Sequence, residues 1–193
     1  MKMYVFMADG VEEVECLTVV DLMRRAGMEV ITTSINSTRN VTGSHGITIQ
    51  ADMIYEDVMR KSGFYDADIL FLPGGQPGTR NLAAHKGVCD AVILQNEKGK
   101  RIAAICAAPT VLGGLGILRK KKAVCYPGLE EQLSGAIVKA PEWQNKVPPV
   151  VTDGNITTSR GVGTAIDLAL ELVTLTFGSE QAEQLAKAIV YKA

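Results

Sequence analysis

Four short runs constrain the fold of this chain more than any other feature: "YVFM" (4–7), "EVITTS" (29–34), "ADILFLPGG" (67–75) and "RIAAIC" (101–106). Each is apolar at consecutive positions instead of alternating ones, so both faces of the strand must be buried. That requires a parallel sheet covered by helices on each side. Between the strands lie "EEVECLTVVDLMRRAG" (12–27) and "GVCDAVILQNEKGK" (87–100), and near the end comes "GTAIDLALELVTLTFG" (163–178). These carry apolar residues at spacings of three and four, and the first and last stop at a glycine, as helix C-termini often do. Strand alternating with helix predicts an open, doubly wound, mostly parallel α/β sheet with helices on both faces. Two stretches break the pattern. Alternation around Gly43–Gly46 in "VTGSHGITIQ" (41–50) and the Asp153-Gly154 turn in "VVTDGNITTS" (150–159) read as β-hairpin additions to the sheet.

The 193 residues are enough for one sizeable core and too few for two, so a single domain over 1–193 is expected. Twenty basic against 21 acidic side chains leave a formal charge of −1. No basic stripe is present to follow a phosphate backbone, so specific nucleic-acid binding is not expected. "RKKKA" (119–123) is the one charge run, and it reads as a solvated helix end. The sequence has no 18-residue apolar span and no signal-like cleavage site, which predicts a cytoplasmic protein without a membrane segment.

Cysteines at 16, 89, 106 and 125 are widely spaced without a C-x-x-C pair, which argues for reduced thiols. With only His45 and His85 available, a His/Cys metal site is not expected. The thiols differ in setting. Cys16 and Cys89 fall on helical patterns and Cys125 near a strand end, where a cysteine is an ordinary small hydrophobe. Cys106 falls at the carboxyl end of a buried strand, where doubly wound sheets place their ligands. The small-residue segment that follows it opens a helix. Leading amides and the positive dipole end would lower a thiol pKa and could serve an oxyanion. A strand-to-helix elbow carrying a nucleophile has the mechanics of the G-x-S-x-G turn, with Ala104 and Ala108 in place of its glycines.

Two further segments end at the same sheet edge. "LFLPGGQPG" (70–78) runs a strand into Gly74 and Gly75, whose backbone can approach a ligand closely and form a second wall of an oxyanion hole. "ADGVEEVE" (8–15) places Glu12, Glu13 and Glu15 at a helix start. There acidic residues ordinarily favour the dipole and point into water, and at least one of the three is expected to do so. One of the carboxylates can instead reach across the strand ends toward Cys106. A carboxylate beside a thiolate repels it, so such a pair shares one proton.

"ADGVEEVE", "VDLMRRAG", "LPGGQPG", "AAICAAPTVL" and "TSRGVGTAID" occur in the order, and near the spacing, of the ThiJ/PfpI superfamily. The resemblance runs from about Tyr4 to Tyr191 and is strongest to the branch containing the Parkinsonism-associated deglycase. It implies a flavodoxin-like, class I glutamine amidotransferase-like sandwich that is usually a homodimer. It further implies that Cys106 is the reactive cysteine and Glu15 its acid partner, that the Gly75 and Ala107 amides surround the site, and that Gly74 lies beside them. Arg24, Arg25 and the His45 loop match segments near the dimer contact of such proteins.

Two positions depart from the pattern. Ala107 stands where the protease-like branch has a histidine, which disfavours peptidase activity. Tyr126 in "VCYPG" stands where animal relatives often carry a histidine, so it is expected to line the site or simply pack there. His85 is expected to be structural. No cofactor motif is present, and no G-x-G-x-x-G follows the first strand. The chemistry open to one thiol, one carboxylic acid and backbone donors is attack on a small reactive carbonyl. A 2-oxoaldehyde fits, in a glyoxalase III or deglycase type of reaction. The rival expectation is an oxidative-stress sensor or redox-regulated chaperone that works through Cys106 oxidation.

Overall fold

The computed structural model describes residues 1–61, 63–143 and 146–191. Its first half contains β1 (Lys2–Met7), α1 (Glu13–Arg25), β2 (Glu29–Ser34), β3 (Asn40–Thr42), β4 (Thr48–Gln50), β5 (Met53–Ile54) and α2 (Tyr55–Lys61). Then follow β6 (Ile69–Leu72), α3 (Gly78–Ala84), α4 (Lys86–Glu97), β7 (Arg101–Ile105) and α5 (Pro109–Gly114). The chain continues with β8 (Val150–Asp153), β9 (Ile156–Ser159), α6 (Ala165–Phe177) and α7 (Ser179–Ala188). A seven-stranded sheet has the order β5-β2-β1-β6-β7-β9-β8, with every pairing parallel except β8 against β9.

The consecutive apolar positions are explained by the layers on each side. Successive strand side chains point to opposite faces. Met3, Val5 and Met7 of β1 therefore enter a core with Ile69, Phe71, Ala103 and Ile105, covered by α1, α6 and α7. Tyr4 and Phe6 enter the other core with Leu70, Leu72, Ile102 and Ala104, under α2 to α5. Phe6 and Phe71 are fully buried, on opposite sides. Either side chain contributes about 1.5–3 kcal/mol through its burial.

Both hairpins form. Val150–Asp153 and Ile156–Ser159 pair antiparallel at one sheet edge. The other hairpin makes its own two-stranded sheet and does not extend the main one. It is held to the loop after β1 by polar contacts: Gly10 N donates to Thr42 O at 2.7 Å, Ser44 N to Val11 O at 2.8 Å, and Thr42 N to Asp9 Oδ1 at 2.8 Å. Gly27 (φ 89°) and Gly178 (φ 97°) follow α1 and α6 in the left-handed region, as the helix-stop signals predicted. α7, a segment beyond Gly178 to which the sequence reading assigned no element, buries Ala182 and Leu185 in the first core. Among the described residues no helix is long and apolar enough to cross a membrane.

β1 and β6 are neighbours, yet the chain leaves β1 toward β2 on one side and returns to β6 on the other. The loops beyond their carboxyl ends therefore diverge and open a crevice at the switch point, the usual ligand position in such sheets.

Candidate functional site

That crevice is built from three loops. The loop after β1 packs on the loop after β6: Glu12 N donates to Gly74 O at 2.9 Å, and Gly75 has φ 93°. A Cβ at Gly75 would also run into the backbone of Gly10 and Glu12, so both conformation and space require glycine there. Glu12 caps α1, its Oε2 accepting from Glu15 N at 2.6 Å. Once that turn is fixed, Glu13 and Glu15 are two helical steps apart, about 200° around the axis, and must point to nearly opposite sides.

Glu15 points to the thiol. It is 1% exposed, and its Oε2 is buried without a hydrogen-bond partner among the described residues. A Cβ built on Gly74 would collide with that oxygen and lie 2.6 Å from Cys106 Cβ. Gly74 is therefore the spacer that lets the carboxyl and the thiol share one pocket. Cys106 itself is half-buried and adopts φ 63°, a left-handed conformation that costs an ordinary residue about 1–2 kcal/mol. Neighbouring hydrogen bonds hold it there: Cys106 N donates to Ser159 O at 3.0 Å, and Tyr126 N donates to Cys106 O at 2.8 Å. The elbow is thus present, and of the four free thiols only Cys106 has positive φ.

The proton distribution departs from the sequence expectation. Burial pushes the Cys106 thiol up, to about 12, and the Glu15 charge and hydrogen bond add to that effect; the Gly75 and Ala107 amides oppose it. The expected depression by a helix N-terminus fails for a local reason. α5 is six residues long and begins at Pro109, which has no N–H, and the Thr110 and Val111 amides donate to Ala107 O and Ala108 O. Burial also pushes Glu15 up, to about 7, aided by the nearby Glu12 charge and opposed by Cys106 and the Gly74 amide. Near neutral pH the acid is therefore poised between its two forms while the sulfur holds its proton. A protonated Glu15 loses its repulsion and becomes a donor to the sulfur.

Cys106, Glu15, Gly74, Gly75 and Ala107 are thus brought together as the sequence reading grouped them. Tyr126 is 53% exposed at the rim. Gly161, which that reading did not single out, joins Tyr126 to the site: a Cβ on it would lie 3.6 Å from Tyr126 Cδ2 and 3.8 Å from Glu15 Oε1. Its signal in the sequence was the "TSRGVGTAID" match. The other thiols have no comparable partner. Cys16 and Cys125 are buried and pushed up to about 12 and 11, by desolvation first.

None of the three glutamates points into water: Glu12 is 8% and Glu13 2% exposed. Glu13 anchors the hairpin, accepting from His45 N at 2.8 Å, His45 Nδ1 at 2.9 Å and Ser44 Oγ at 3.3 Å. Those hydrogen bonds hold its carboxyl well below the usual carboxylate range, at about 2, against an opposing desolvation that is the largest single influence. Glu12, Glu13 and His45 bring ligand-type atoms within 4.8 Å of one another, but Glu13's oxygens are already occupied by these donors. Arg24 pairs with Asp52 at 2.6 Å and Arg25 with Asp21 at 2.7 Å. His85 caps α4, Nδ1 accepting from Val88 N at 3.2 Å, which is the structural role expected of it.

Comparison with known proteins bears on the family and the fold. The profile of the DJ-1/PfpI family matches residues 1–175. Protein DJ-1 homolog A of Arabidopsis thaliana is 34% identical over 186 residues, covering 96% of this chain. The chain spans only 45% of that relative's length. A deglycase of Pyrococcus abyssi is 32% identical over 175 residues, which cover 91% of this chain and 99% of the deglycase. The structure of oxidized Toxoplasma gondii DJ-1 superposes with a TM-score of 0.87 at 32% identity, covering 100% of this chain and 99% of that one. With a flavodoxin-like sheet, a cysteine elbow and a family match over most of its length, the chain belongs to the DJ-1/PfpI family.

Proposed function

We propose that this chain is a cofactor-independent cysteine enzyme acting on 2-oxoaldehydes or their adducts, converting methylglyoxal to lactate in the simplest case. The observation that carries the reading is a buried, unpartnered carboxyl oxygen beside a half-buried thiol on a left-handed elbow. An ionised Glu15 takes the thiol proton as Cys106 Sγ bonds to the aldehyde carbon and passes it to the former carbonyl oxygen, giving a hemithioacetal and restoring the carboxylate. Glu15 then moves a proton from that carbon to the adjacent carbonyl carbon while the hydroxyl proton passes to the neighbouring oxygen, leaving a thioester of the 2-hydroxy acid. Water cleaves the C–S bond, releases lactate and returns the thiol. The Gly75 and Ala107 amides, which already act on the sulfur, are the candidate donors to the oxyanion of each tetrahedral species. Tyr126 is assigned to the rim.

The relative named a deglycase supports this class of chemistry, because an adduct of a 2-oxoaldehyde with an amine or thiol exposes the same carbons to Sγ and Glu15. The deciding experiment measures lactate formed from methylglyoxal by wild type, Cys106→Ala and Glu15→Gln. Turnover by wild type and loss in both variants is expected. Equal, slow conversion by wild type and Cys106→Ala overturns the proposal.

One observation favours a second reading: the sulfur is partly exposed, and a protonated Glu15 can hydrogen-bond a sulfinate and stop oxidation at that stage. Intact mass after mild peroxide separates the two. Selective gain of two oxygens at Cys106 without turnover would mark a redox sensor. The homodimer and the cytoplasmic setting belong to the same proposal. Val14 and Leu17, 51% and 40% exposed at i and i+3 on α1, offer an apolar strip to a second copy. Light scattering reads the mass directly.

A further inference from the structure

A cleft of about 720 Å³ lies between α3 and α5, bordered by α4 and by the short turn at Glu130–Gln132. Neither Cys106 nor Glu15 lines it, so it is separate from the thiol pocket. Its size suits a small metabolite, and its lining chemistry is one-sided. Arg80 is exposed and has no ion-pair partner among the described residues, and no carboxylate lines the cleft. The Gln76 and Gln132 side-chain amides supply neutral polar groups, and the Thr110 hydroxyl, which donates to Ala107 O at 2.7 Å, can still accept from a ligand hydroxyl. Thr79, buried under the same cleft, carries an Oγ1 with no hydrogen-bond partner among the described residues. An uncompensated hydroxyl beneath a roomy polar cleft points to a group that comes from outside. An unpaired guanidinium with carboxamides around it selects an oxyanion, which it can hold through two parallel hydrogen bonds.

We propose that the α3–α5 cleft binds a small oxyanion-bearing polyol, with Arg80 taking the phosphate or carboxylate and Gln76, Gln132 and Thr110 the hydroxyls. The site is formed by Arg80, Gln76, Gln132 and Thr110 over the buried Thr79 hydroxyl and does not depend on the chemistry at Cys106. The test is an amide NMR titration of the full chain with glycerol phosphate, with glycerol and inorganic phosphate run separately.

Saturable shifts at Thr79, Arg80, Ala83, Thr110 and Val111 are expected with glycerol phosphate, weaker ones with inorganic phosphate, and none with glycerol. Arg80→Gln should weaken binding by about tenfold, the effect of losing one charge-assisted contact. Gln132→Ala, on an exposed turn, should weaken it less. The iodoacetamide alkylation rate of Cys106 in unliganded Arg80→Gln should match wild type, which shows that the fold and the thiol pocket are intact. Shifts that do not saturate by about 20 mM, an affinity too weak for a formed site, overturn the proposal. So do shifts centred on Glu15 and Cys106, or equal binding by Arg80→Gln. Because binding is read directly, the result stands whether or not the chain turns over methylglyoxal.

Discussion

Replacing Glu15 with Gln should make the protein more stable at alkaline pH while abolishing the proposed turnover of methylglyoxal, and the size of the gain follows from the site. Glu15 is buried, and its carboxyl titrates at about 7 against an ordinary 4.5. Between those values the folded state binds more protons than the unfolded state, so stability falls as pH rises through the window. Full ionisation therefore penalises the fold by about 3 kcal/mol, of which about 2.5 kcal/mol develops between pH 5 and pH 8. Glutamine carries no charge and escapes the penalty. Urea denaturation of wild type and Glu15→Gln at both pH values isolates the effect, because every other titrating group is common to the two proteins. The variant's advantage should grow by about 2.5 kcal/mol from pH 5 to pH 8, or about 5–10 °C in Tm for a chain of this size. A Cys106→Ala background removes the thiol that holds Glu15 down, and should shift the window upward. An advantage that is the same at both pH values, or that shrinks with rising pH, would refute the assignment of Glu15 as a carboxyl kept near neutrality by burial.

Gly74→Ala places a methyl against Glu15 Oε2 and Cys106 Cβ, and overpacking of this kind costs about 1–3 kcal/mol; denaturation should show that loss, together with a slower alkylation of Cys106. Glu13→Ala leaves the His45 amide and its neighbours facing a buried hole, and should cost about 1–3 kcal/mol at pH 7. Because Glu13's pKa is held low, its contribution is present above pH 4.5 and is lost as pH falls toward 2, so wild type and variant should converge in acid. His85→Ala removes the α4 cap for about 1 kcal/mol and should leave Cys106 alkylation unchanged; a change in alkylation would contradict its purely structural role.

The architecture was legible because binary patterning reports burial directly. Both-face apolar runs such as 4–7 and 101–106 can be satisfied only between two helical layers, and the two cores split at the alternation of Met3, Val5 and Met7 against Tyr4 and Phe6. Elements with weaker patterns were not legible. α2 buries only Val58, and β5 has two residues, so neither leaves a period to read. The division of labour among Glu12, Glu13 and Glu15 needed the helix start. Once Glu12 is the cap, the angular step separates Glu13 from Glu15, but which side faces the thiol depends on how α1 lies on the sheet. The hairpin that occupies Glu13 comes from about thirty residues further on, a distance that local pattern does not span.

The protonation of the sulfur departs from the helix-dipole expectation for a reason the sequence does contain. A helix N-terminus acidifies a thiol through free amides, and Pro109 marks the position where one of those amides is missing. What remains is one amide from the elbow itself, Ala107, and one from across the crevice, Gly75, set against the desolvation of a half-buried sulfur and a neighbouring carboxylate. In that balance the sulfur's reactivity is governed by Glu15 more than by the dipole of a six-residue helix. Each time Glu15 gains a proton, it changes from the group that holds the thiol protonated into the donor that stabilises the thiolate. In the proposed mechanism the reactive state therefore arises by moving a proton within the pair, which needs the two groups in one pocket, and the absence of a side chain at Gly74 is what permits that.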